Sequence, residues 1–580
     1  MASKPVWLRS GNSSLFGWLD CPDDGLVRAA VILCPPLASE LISAHETFLE
    51  LSTALVERGF AVVRFDYPGT GDSTDVPDAD DRVALWQDAI VAVSRWASDG
   101  GLDHQALVGM RMGATLLALE RRLCDVDAAV LWDPCLRGRA FLRQHEALTR
   151  MLGSQLGVSS VPVDGCELPG YVYPRITVDR ITNMTLLDAP LPLSDNTLVL
   201  LRDSMTLARV RAHFEGHGLQ VEQITGQPEL LDAATPESVI PHGSVRRIAG
   251  WLDEVMADDA RLCRFPSTPT QAVVGPADIV ERPVRLGPSG LFAMVTDSID
   301  PKLSLRRPTV VFLNAAAEFH IGPARQWVEL SRRLAGHGFR CLRIDLSGIG
   351  ESPARAGQGR RRLYSPYALF DVAEVLQGAT PDDPTNAVLV GLCSGAYAAL
   401  ESGAALGLRG VIAISPILDI EAPHEVDVVS AEMGDSDAGL NRPIMARPRT
   451  SYGSALLKHQ RLKKAMLHFP TGMWRLAHGL RLQRSPADGF QSVVRQVDKT
   501  LVVCNSYDGR AYVERGQWIV DRLTASGKFH LEIFEMDHGL LSRSGRDRVA
   551  DTTVANLLSW FPVPDQSDGH PVSELRSGRT

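Results

Sequence analysis

Short apolar runs alternate with longer amphipathic segments along most of this chain. Runs that are apolar throughout are typical of strands buried on both faces of a sheet, and the segments between them, such as 48–57 and 86–96, are helix-like. The pattern therefore predicts a mostly parallel sheet flanked by helices. The predicted strands are 29–33, 61–65, 106–108, 128–132 and 197–201 in the first half, and 309–313, 341–344, 387–390, 411–414, 501–504 and 531–534 in the second.

The chain repeats its own pattern after about 280 residues. Segment 58–66 matches segment 337–345, and each runs into a glycine turn, D-Y-P-G-T-G-D-S at 66–73 and D-L-S-G-I-G-E-S at 345–352. Each half then carries a glycine box after a predicted strand, G-M-R-M-G at 109–113 and G-L-C-S-G at 391–395. The repeat predicts two tandem domains of one α/β fold, each with a helical cap insertion.

The boundaries of the two domains follow from where the pattern changes. We expect the first domain at 1–257, with a cap at about 134–196, and the second at 281–563, with a cap at about 418–499. Between them, 258–280 is mixed in composition and contains several prolines, which favours a linker. Residues 564–580 are polar and turn-rich, so we expect a disordered tail there.

The glycine box of the second half follows a predicted strand and precedes a small-residue helical stretch, and its central residue is Cys393. In the motif G-x-S-x-G this turn is a nucleophile elbow, which exposes the central side chain while the flanking glycines avoid a Cβ clash. A thiol at this position points to a covalent thioester intermediate. The alternative is a buried cysteine that only packs.

Two later residues complete a candidate catalytic set in the chain order nucleophile, acid, histidine. Asp508 follows the predicted strand 501–504, and His538 follows the predicted strand 531–534. His538 would take the thiol proton and return a proton to the leaving group, while Asp508 fixes the imidazole tautomer. A neighbouring histidine lowers the pKa of a thiol, so we expect a thiolate-imidazolium pair at rest.

Two backbone N–H groups are expected to stabilise an oxyanion. One belongs to Ser394, at the start of the helix after the box, and the other to Ala315 or Ala316, in the loop after strand 309–313. The sequence N-A-A-A-E at 314–318 departs from the His-Gly usual in this loop. Ser394 is a poor candidate for the nucleophile, because the box would then need glycine at 392. Asp537 is expected to be a solvated neighbour of the histidine.

The first half has Arg111 at the centre of its glycine box. A guanidinium stays protonated in proteins and cannot act as a nucleophile, so covalent catalysis is excluded there. Asp203 and His242 occupy the acid and histidine positions, and Asp203 is a candidate partner of Arg111. We interpret this half as a non-catalytic scaffold. The alternative is a site in which Arg111 binds a carboxylate or phosphate.

Composition excludes several classes of protein. The chain is 45% hydrophobic and 22% charged, as in ordinary globular proteins, and its formal net charge of −10 argues against a general nucleic-acid binder. The sequence contains no apolar stretch of about 18 residues and no apolar signal-peptide core at its start, so we expect a cytoplasmic protein without a membrane span. The nine cysteines are scattered without a CxxC pair. They predict reduced thiols and no metal site, and no cofactor is expected.

The predicted cap of the second half is strongly basic. Segment 441–487 contains ten Lys and Arg residues and no Asp or Glu, interleaved with leucine and methionine. Such a local excess of positive charge attracts anionic partners. We expect Arg461, Lys463 and Lys464 to dock an acyl carrier protein or the phosphates of a coenzyme A thioester. The alternative is a solvated basic face over a packed lid.

Both halves resemble known hydrolase families. The first half resembles the exosortase-system-associated hydrolases and the wider serine aminopeptidase-like group in C-P-P-L-A-S-E at 34–40, the turn at 66–73 and G-M-R-M-G-A at 109–114. The second half resembles the same α/β-hydrolase superfamily; its cysteine box is similar to that of polyhydroxyalkanoate synthases, and its Cys-Asp-His set to that of dienelactone hydrolases. The resemblance implies two α/β-hydrolase domains and acyl chemistry on an ester or thioester.

These observations together predict an acyltransferase. It would move an acyl group from a small thioester or ester donor through acyl-Cys393 to an alcohol or amine. Transfer is favoured because a thioester forms more readily from a thioester donor than from an unactivated ester. The alternatives are a hydrolase of esters or thioesters that uses the same Cys-His-Asp triad, and a non-catalytic binding protein.

Overall fold

The computed structural model of this protein describes most of both halves of the chain. The predicted tail, most of the predicted second cap, Asp203 and the basic residues Arg461, Lys463 and Lys464 lie outside the described residues. The described residues are 2–102, 104–123, 126–156, 164–188, 194–202, 207–232, 237–256, 260–262, 265–275, 279–300, 307–417, 475–476, 478, 485 and 487–562.

The first half is built around an eight-stranded sheet. The strands of this half are β1 (Ala2–Ser10), β2 (Ser13–Cys21), β3 (Leu26–Val27), β4 (Ala29–Cys34), β5 (Phe60–Phe65), β6 (Gln105–Met110), β7 (Ala128–Trp132), β8 (Gly165–Leu168), β9 (Tyr171–Pro174), β10 (Thr197–Arg202) and β11 (Gln220–Ile224). Three of them lie outside the sheet: β8 and β9 form a hairpin, and β3 pairs with a later strand. The spatial order is β1-β2-β5-β4-β6-β7-β10-β11. In this spatial order, β1 pairs antiparallel with β2, and β2 pairs antiparallel with β5. From β5 onward, each strand pairs parallel with the next.

The second half repeats this order in a nine-stranded sheet. The remaining strands of the described chain are β12 (Arg261–Leu262), β13 (Ala272–Val274), β14 (Ile279–Leu286), β15 (Leu291–Ser298), β16 (Thr309–Phe312), β17 (Cys341–Ile344), β18 (Ala387–Leu392), β19 (Gly410–Ile414), β20 (Lys499–Asn505) and β21 (Phe529–Phe534). The spatial order β14-β15-β17-β16-β18-β19-β20-β21 matches the first sheet strand by strand, and β13 is added at its edge.

Helices cover both faces of each sheet. In the first half they are α1 (Ser39–Val56), α2 (Arg82–Asp99), α3 (Met112–Leu119), α4 (Gly138–Leu156), α5 (Arg175–Thr182), α6 (Leu207–Gly216), α7 (Gln227–Leu231) and α8 (His242–Val255). In the second half they are α9 (Gln326–Gly336), α10 (Ala368–Ala379), α11 (Ser394–Leu406), α12 (Asp488–Gln496), α13 (Ser506–Thr524) and α14 (Arg543–Trp560), with a short 3₁₀ turn at Pro323–Arg325.

The central strands show why apolar runs predict this architecture. All residues of β4 are buried, and they alternate between two separate cores. Ala30 and Ile32 pack in the core on one face of the sheet, while Val31 and Leu33 pack in the core on the other. A strand with helices on both sides has no solvent-exposed face, so apolar residues occupy every position. Every strand predicted from the sequence is found.

The segment predicted as a linker contains two strands. Within 258–280, β12 pairs with β3 of the first half and β13 pairs with β14 of the second. Each end of the segment is therefore hydrogen-bonded to the domain that it adjoins. Sequence analysis recognised the prolines as interruptions, but edge strands tolerate proline and give only a weak pattern.

The two halves share an apolar interface. The rings of Trp18 and Phe292, one from each half, meet edge to face with their centroids 5.2 Å apart. A single buried cluster joins residues of both halves, including Trp7, Phe16, Val274 and Met294. Aromatic pairs of this kind add about 0.5–1.5 kcal/mol beyond their buried area. The halves therefore pack as one body over this surface.

Two ion pairs cross the interface in a reciprocal way. Arg64 of the first half donates to Glu351 of the second at 2.7 Å, and Arg343 of the second half forms an ion pair with Asp72 of the first. Arg343 and Glu351 lie 279 positions after Arg64 and Asp72, so the two pairs join equivalent positions. This reciprocity is the rule at two-fold interfaces between identical subunits. All four side chains are buried, and charges there need such partners.

Candidate active site

A sharp turn between β18 and α11 carries Cys393. The backbone of Cys393 has φ 55° and ψ −113°, a conformation that costs energy for a residue with a side chain. Both glycines of the box are needed for packing. A Cβ on Gly391 would lie 2.2 Å from the backbone of Gly395, and one on Gly395 would lie 2.4 Å from the carbonyl oxygen of Asn314. Cys393 is partly exposed at the start of the helix.

The first half has the same turn with a different side chain. Arg111 has φ 54° and ψ −120°, close to the angles of Cys393. A Cβ on Gly109 would lie 2.5 Å from the backbone of Ala114, and one on Gly113 would lie 2.3 Å from Pro35. The strained backbone is therefore present in both halves, while only the second half carries a thiol at its centre.

The structure brings Asp508 and His538 together with Cys393. The Nδ1 atom of His538 lies 2.7 Å from Oδ2 of Asp508. The Cys393 thiol lies close enough to the imidazole to raise its pKa. These residues come from the ends of β18, β20 and β21, which are neighbours or near neighbours in the sheet. Because parallel strands end at one edge, three distant segments meet there.

The environment of His538 favours its protonated form. Burial alone would lower the pKa of the imidazole, but hydrogen bonds to Asp508 and Cys393, and the charges of both, raise that pKa to about 10. An imidazolium held between a carboxylate and a sulfur atom stabilises negative charge on both.

Asn505 positions the acid and was not recognised in the sequence. It is the N-cap of α13, and its side-chain oxygen accepts the N–H of Asp508 at 2.7 Å. Its side-chain amide donates to Oδ2 of Asp508 at 2.8 Å. Asp508 therefore lies in the first turn of a helix. The sequence N-S-Y-D after a strand contains the signal, since Asn is a favoured N-cap and an acid is favoured in the first turn.

Tyr364 is a second residue that the sequence did not reveal. It lies in the segment between β17 and α10. Its ring packs edge to face on Tyr397, with the centroids 5.8 Å apart. Burial and the neighbouring Cys393 raise the pKa of Tyr364 well above its ordinary value. The phenol therefore stays protonated and can donate. No sequence motif marks this position.

The predicted oxyanion donors occupy different environments. Ser394 begins α11, and the first N–H groups of a helix have no acceptor within the helix. The N–H of Ala316 donates to the hydroxyl oxygen of Ser394 at 3.0 Å, so this donor is occupied. Ala315 is buried in the core beside the sheet. Ser394 is itself buried and serves as an acceptor, which agrees with its rejection as nucleophile.

Asp537 does not have the solvated position expected for it. It is buried, and its carboxylate accepts the backbone N–H groups of Leu541 at 2.6 Å and Ser542 at 2.8 Å. It therefore fixes the turn between His538 and α14. The sequence could not reveal this role, because Asp537 and His538 are adjacent in the chain but contact different partners.

The guanidinium of Arg111 is surrounded by acids of its own half. It lies 3.0 Å from Glu40 and 3.5 Å from Asp133, and all three side chains are buried. The suggested partner Asp203 lies outside the described residues. His242 is exposed at the start of α8 and pairs with Glu50 at 2.5 Å. These internal ion pairs favour the scaffold interpretation of Arg111 over binding of an external anion.

The first half also contacts the loop that carries His538. Gly170, in the turn between β8 and β9, donates its N–H to the carbonyl oxygen of Leu541 at 2.8 Å. Glu167 accepts the backbone N–H of Arg543 at 2.9 Å. The hairpin of the first half therefore lies against the segment that follows His538.

A small cavity lies between the two halves and not at Cys393. Its volume is about 50 Å³, and its walls include His45, Asp66 and Phe319. A space of this size holds one or a few water molecules. Neither Cys393 nor His538 lines it. Much of the predicted cap over Cys393, including Arg461, Lys463 and Lys464, lies outside the described residues.

Within the described part of the chain, no group of three or more His, Cys, Asp or Glu side chains is arranged to hold a metal ion. In that same part, none of the helices has the length and apolar character needed to cross a membrane.

A known protein family matches most of the second half of the chain. Residues 310–552 match the model of the "Alpha/beta hydrolase family". The C-terminal half contains an α/β-hydrolase domain. Both halves have the α/β-hydrolase fold, a mostly parallel sheet flanked by helices. Among curated proteins, none matches this chain in sequence.

Several solved structures are similar to part of the chain. Est1E from Butyrivibrio proteoclasticus, solved with ferulic acid, is 15% identical over 43% of this chain and 98% of its own, with a TM-score of 0.34. The Pyrococcus furiosus esterase Pf2001 is 16% identical over 44% of this chain and 94% of its own, with a TM-score of 0.30. The α/β hydrolase GrgF from Penicillium sp. sh18 is 14% identical over 44% of this chain and 99% of its own, with a TM-score of 0.32.

Proposed function

We propose that the second domain is an acyltransferase that moves an acyl group from a thioester or ester donor, through acyl-Cys393, to an alcohol or amine. The observation that carries this proposal is the contact of His538 with both Asp508 and the thiol of Cys393 on a nucleophile elbow. An α/β-hydrolase domain at 310–552 supports acyl chemistry in general. That Cys393 is the nucleophile, and that it forms a triad with His538 and Asp508, belongs to the proposal.

The first half of the reaction forms the acyl-enzyme. The thiolate of Cys393 attacks the carbonyl carbon of the donor, and the electron pair of the C=O π bond moves onto oxygen. When this intermediate collapses, the bond to the leaving group breaks and the His538 imidazolium gives that group its proton. Asp508 remains ionised and stabilises the imidazolium throughout.

The second half of the reaction transfers the acyl group. The acceptor hydroxyl or amine loses its proton to the now neutral His538 and attacks the thioester carbonyl. Cys393 leaves as a thiolate, beside the imidazolium that has just formed. A thiolate is a good leaving group, so the acyl-enzyme can pass its acyl group to an alcohol or amine. Hydrolysis is the same sequence with water as acceptor.

Intact-protein mass spectrometry tests the covalent step. The protein is mixed with the N-acetylcysteamine thioesters of acetate and octanoate, and we expect one acyl adduct. The adduct should be absent in Cys393→Ala and should form much more slowly in His538→Ala. Cys21→Ala is the matched control, because Cys21 is also partly exposed but lies in the first half. An adduct that survives Cys393→Ala would refute the proposal.

A chase experiment separates transfer from hydrolysis. The acyl-enzyme is isolated and divided between buffer alone and buffer with glycerol or ethanolamine. Transfer predicts faster loss of the adduct with the acceptor and formation of the acylated acceptor. Loss at one rate in all buffers, with free acid as product, would favour the hydrolase. Iodoacetamide addresses the third alternative: alkylation of Cys393 no faster than that of free cysteine, and unaffected by His538→Ala, would favour a binding protein.

The donor is proposed to arrive on an acyl carrier protein or coenzyme A, in the cytoplasm. The basis is the sequence alone, since Arg461, Lys463 and Lys464 belong to the segment with ten positive and no negative charges. Reversing these charges should raise the apparent KM for a carrier-bound donor at low salt. The KM for an N-acetylcysteamine thioester, which lacks phosphate, should not change. Equal kinetics with the carrier-bound donor would contradict this partner.

A further inference from the structure

We propose that β21 is a contact surface between two copies of this chain, which pair antiparallel along this strand about a two-fold axis at Leu531. The inference concerns assembly and does not depend on the proposed acyl chemistry. β21 is the last strand of the nine-stranded sheet, and within the part of the chain that the structure describes it pairs only with β20. The backbone N–H and C=O groups on its outer side can therefore bond to another strand.

An open groove of about 410 Å³ follows this edge, between β21 and α13. Leu531 and Ile533 form its strand side, and Ile533 is 36% exposed. Val513, Gln517 and Val520 form its helix side, and their spacings of four and three residues place them on one face of α13. The edge of the sheet is therefore bordered by mainly apolar side chains, which a partner would cover.

The equivalent edge of the first half is protected by polar contacts. β11 is the last strand of the eight-stranded sheet. Arg247 of α8 donates to Glu222 of this strand at 2.7 and 2.8 Å, and the indole N–H of Trp251 donates to Gln220 at 3.1 Å. Charged side chains on an edge strand discourage pairing with another chain. β21 instead borders the apolar groove, so of these two edges it is the one suited to a partner strand.

The two faces of β21 show why a second copy fits. Ile533 points to the α13 side, since a Cβ on Gly509 of that helix would lie 2.8 Å from its Cδ1 atom. Phe534 packs in the core on the opposite face, so His530 and Glu532 lie on that face as well. A two-fold axis perpendicular to the sheet keeps each face on its own side. It therefore brings the α13 grooves of both copies together and continues the two sheets as one.

The charges on β21 select the register of the pair. Directly opposite residues must face the same side of the sheet, so the axis has to pass through a residue and not between two. With Leu531 on the axis, His530 lies opposite Glu532 of the second copy, and symmetry repeats this contact. An axis at Glu532 would oppose two carboxylates, which destabilises a strand pair. Within one copy the imidazole and the carboxylate already lie 2.9 Å apart and are half exposed, so both can reach a partner.

Sedimentation equilibrium over a range of protein concentrations tests this pairing. Wild type should form a dimer. His530→Glu places a carboxylate opposite Glu532 and should raise the dissociation constant at least about 10-fold. The double variant His530→Glu with Glu532→Lys again places opposite charges across the axis and should restore the dimer. Gln223→Glu changes an exposed residue of β11 and is the matched control, which should dimerise like wild type.

Amide hydrogen exchange shows which surface is covered. Exchange within 529–534 should slow as the protein concentration rises, because a second copy protects the strand. Protection that does not depend on concentration would mean that a segment of the same chain covers β21, and the inference would be wrong. Melting temperatures show whether the variants stay folded; if His530→Glu unfolds more easily, exchange in wild type decides alone.

The remaining outcomes also count against the inference. A monomer at every concentration would overturn it. A dimer that His530→Glu leaves intact would show that another surface joins the copies. A double variant that stays monomeric would show that His530 and Glu532 do not lie opposite each other, so the proposed axis at Leu531 would be wrong.

Discussion

The backbone N–H of Gly170 donates to the carbonyl oxygen of Leu541, which follows His538 by three positions, at a distance of 2.8 Å. This bond joins the half that has no nucleophile to the loop that carries the candidate base. Arg361 and Ser238 form a similar connection on the side of Tyr364. The first half therefore contacts two loops of the second half that carry or adjoin candidate site residues.

Replacing Gly170 by alanine should disturb the candidate base. Gly170 has φ 82°, and a Cβ there would lie 2.3 Å from the Cβ of Ala324. The hairpin must shift, so we expect acylation of Cys393 to slow by about 10-fold, by the sensitivity of catalysis to small misplacements. The control is Gly218→Ala, where φ is 78° but a Cβ would meet nothing within 4 Å. Equal acylation rates in the two variants would contradict the role of the hairpin.

Two substitutions of Asn505 should separate its effect on the free energy of unfolding from its effect on the rate of acylation. Asn505→Ala removes the helix cap and the bond to Asp508, and we expect it to lower the free energy of unfolding by about 1 kcal/mol and to slow acylation. Asn505→Asp keeps an oxygen for the cap but places a second carboxylate beside Asp508. Its stability should be close to that of wild type, as measured by urea unfolding, while acylation remains slow. Normal acylation in Asn505→Asp would exclude a positioning role for the amide.

Removing the charge of Arg111 should affect folding and not acyl transfer. Arg111→Met leaves the buried carboxylates of Glu40 and Asp133 without this cation. Loss of one partner of a buried ion pair costs about 3–5 kcal/mol, so a clear fall in the melting temperature is expected. The KM for a thioester probe should stay the same in the folded variant. A raised KM with unchanged stability would instead support the anion-binding alternative.

The imidazole of His320 bridges one carboxylate from each half, and this bridge predicts that the free energy of unfolding depends on pH. His320 lies 2.7 Å from Asp72 of the first half and 2.8 Å from Asp345 of the second. Burial alone would lower its pKa, but the two carboxylates raise it to about 10. Because the folded pKa exceeds the unfolded one, the contribution of the bridge is complete below about pH 6.5 and is lost as pH rises towards 10.

The measurement is the difference in unfolding free energy between wild type and His320→Gln. It should be on the order of 3 kcal/mol at pH 6 and should shrink steadily up to pH 10. His45→Gln is the control. Burial lowers the pKa of His45 to about 3, so this nearby histidine is neutral in the folded protein, and its difference should be constant above about pH 7.5, where the unfolded histidine is neutral too. A constant difference for His320→Gln as well would refute the charged bridge.

The predictions that succeeded depend on local patterns. Apolar runs of a few residues identified β4 to β7 and β10 of the first sheet and β16 to β21 of the second, because a strand covered on both faces has no polar position. The other strands of the two sheets, β1, β2, β11, β13, β14 and β15, escaped. Of these, β1 and β14 lie at or near a sheet edge and alternate partly exposed residues with buried ones. The glycine boxes were recognisable because only glycine fits where a Cβ would lie 2.2–2.5 Å from a neighbouring backbone.

The repeated fold, the elbow and the order of Cys393, Asp508 and His538 could be predicted from the sequence, because they follow from side-chain size, polarity and position relative to strand ends. Which groups meet depends on the tertiary structure. The fold turns the N–H of Ala316 towards Ser394, buries Asp537 and surrounds Arg111 with acids. Such contacts join residues far apart in the chain, and no local pattern encodes them. Their geometry depends on how the two sheets and their loops pack.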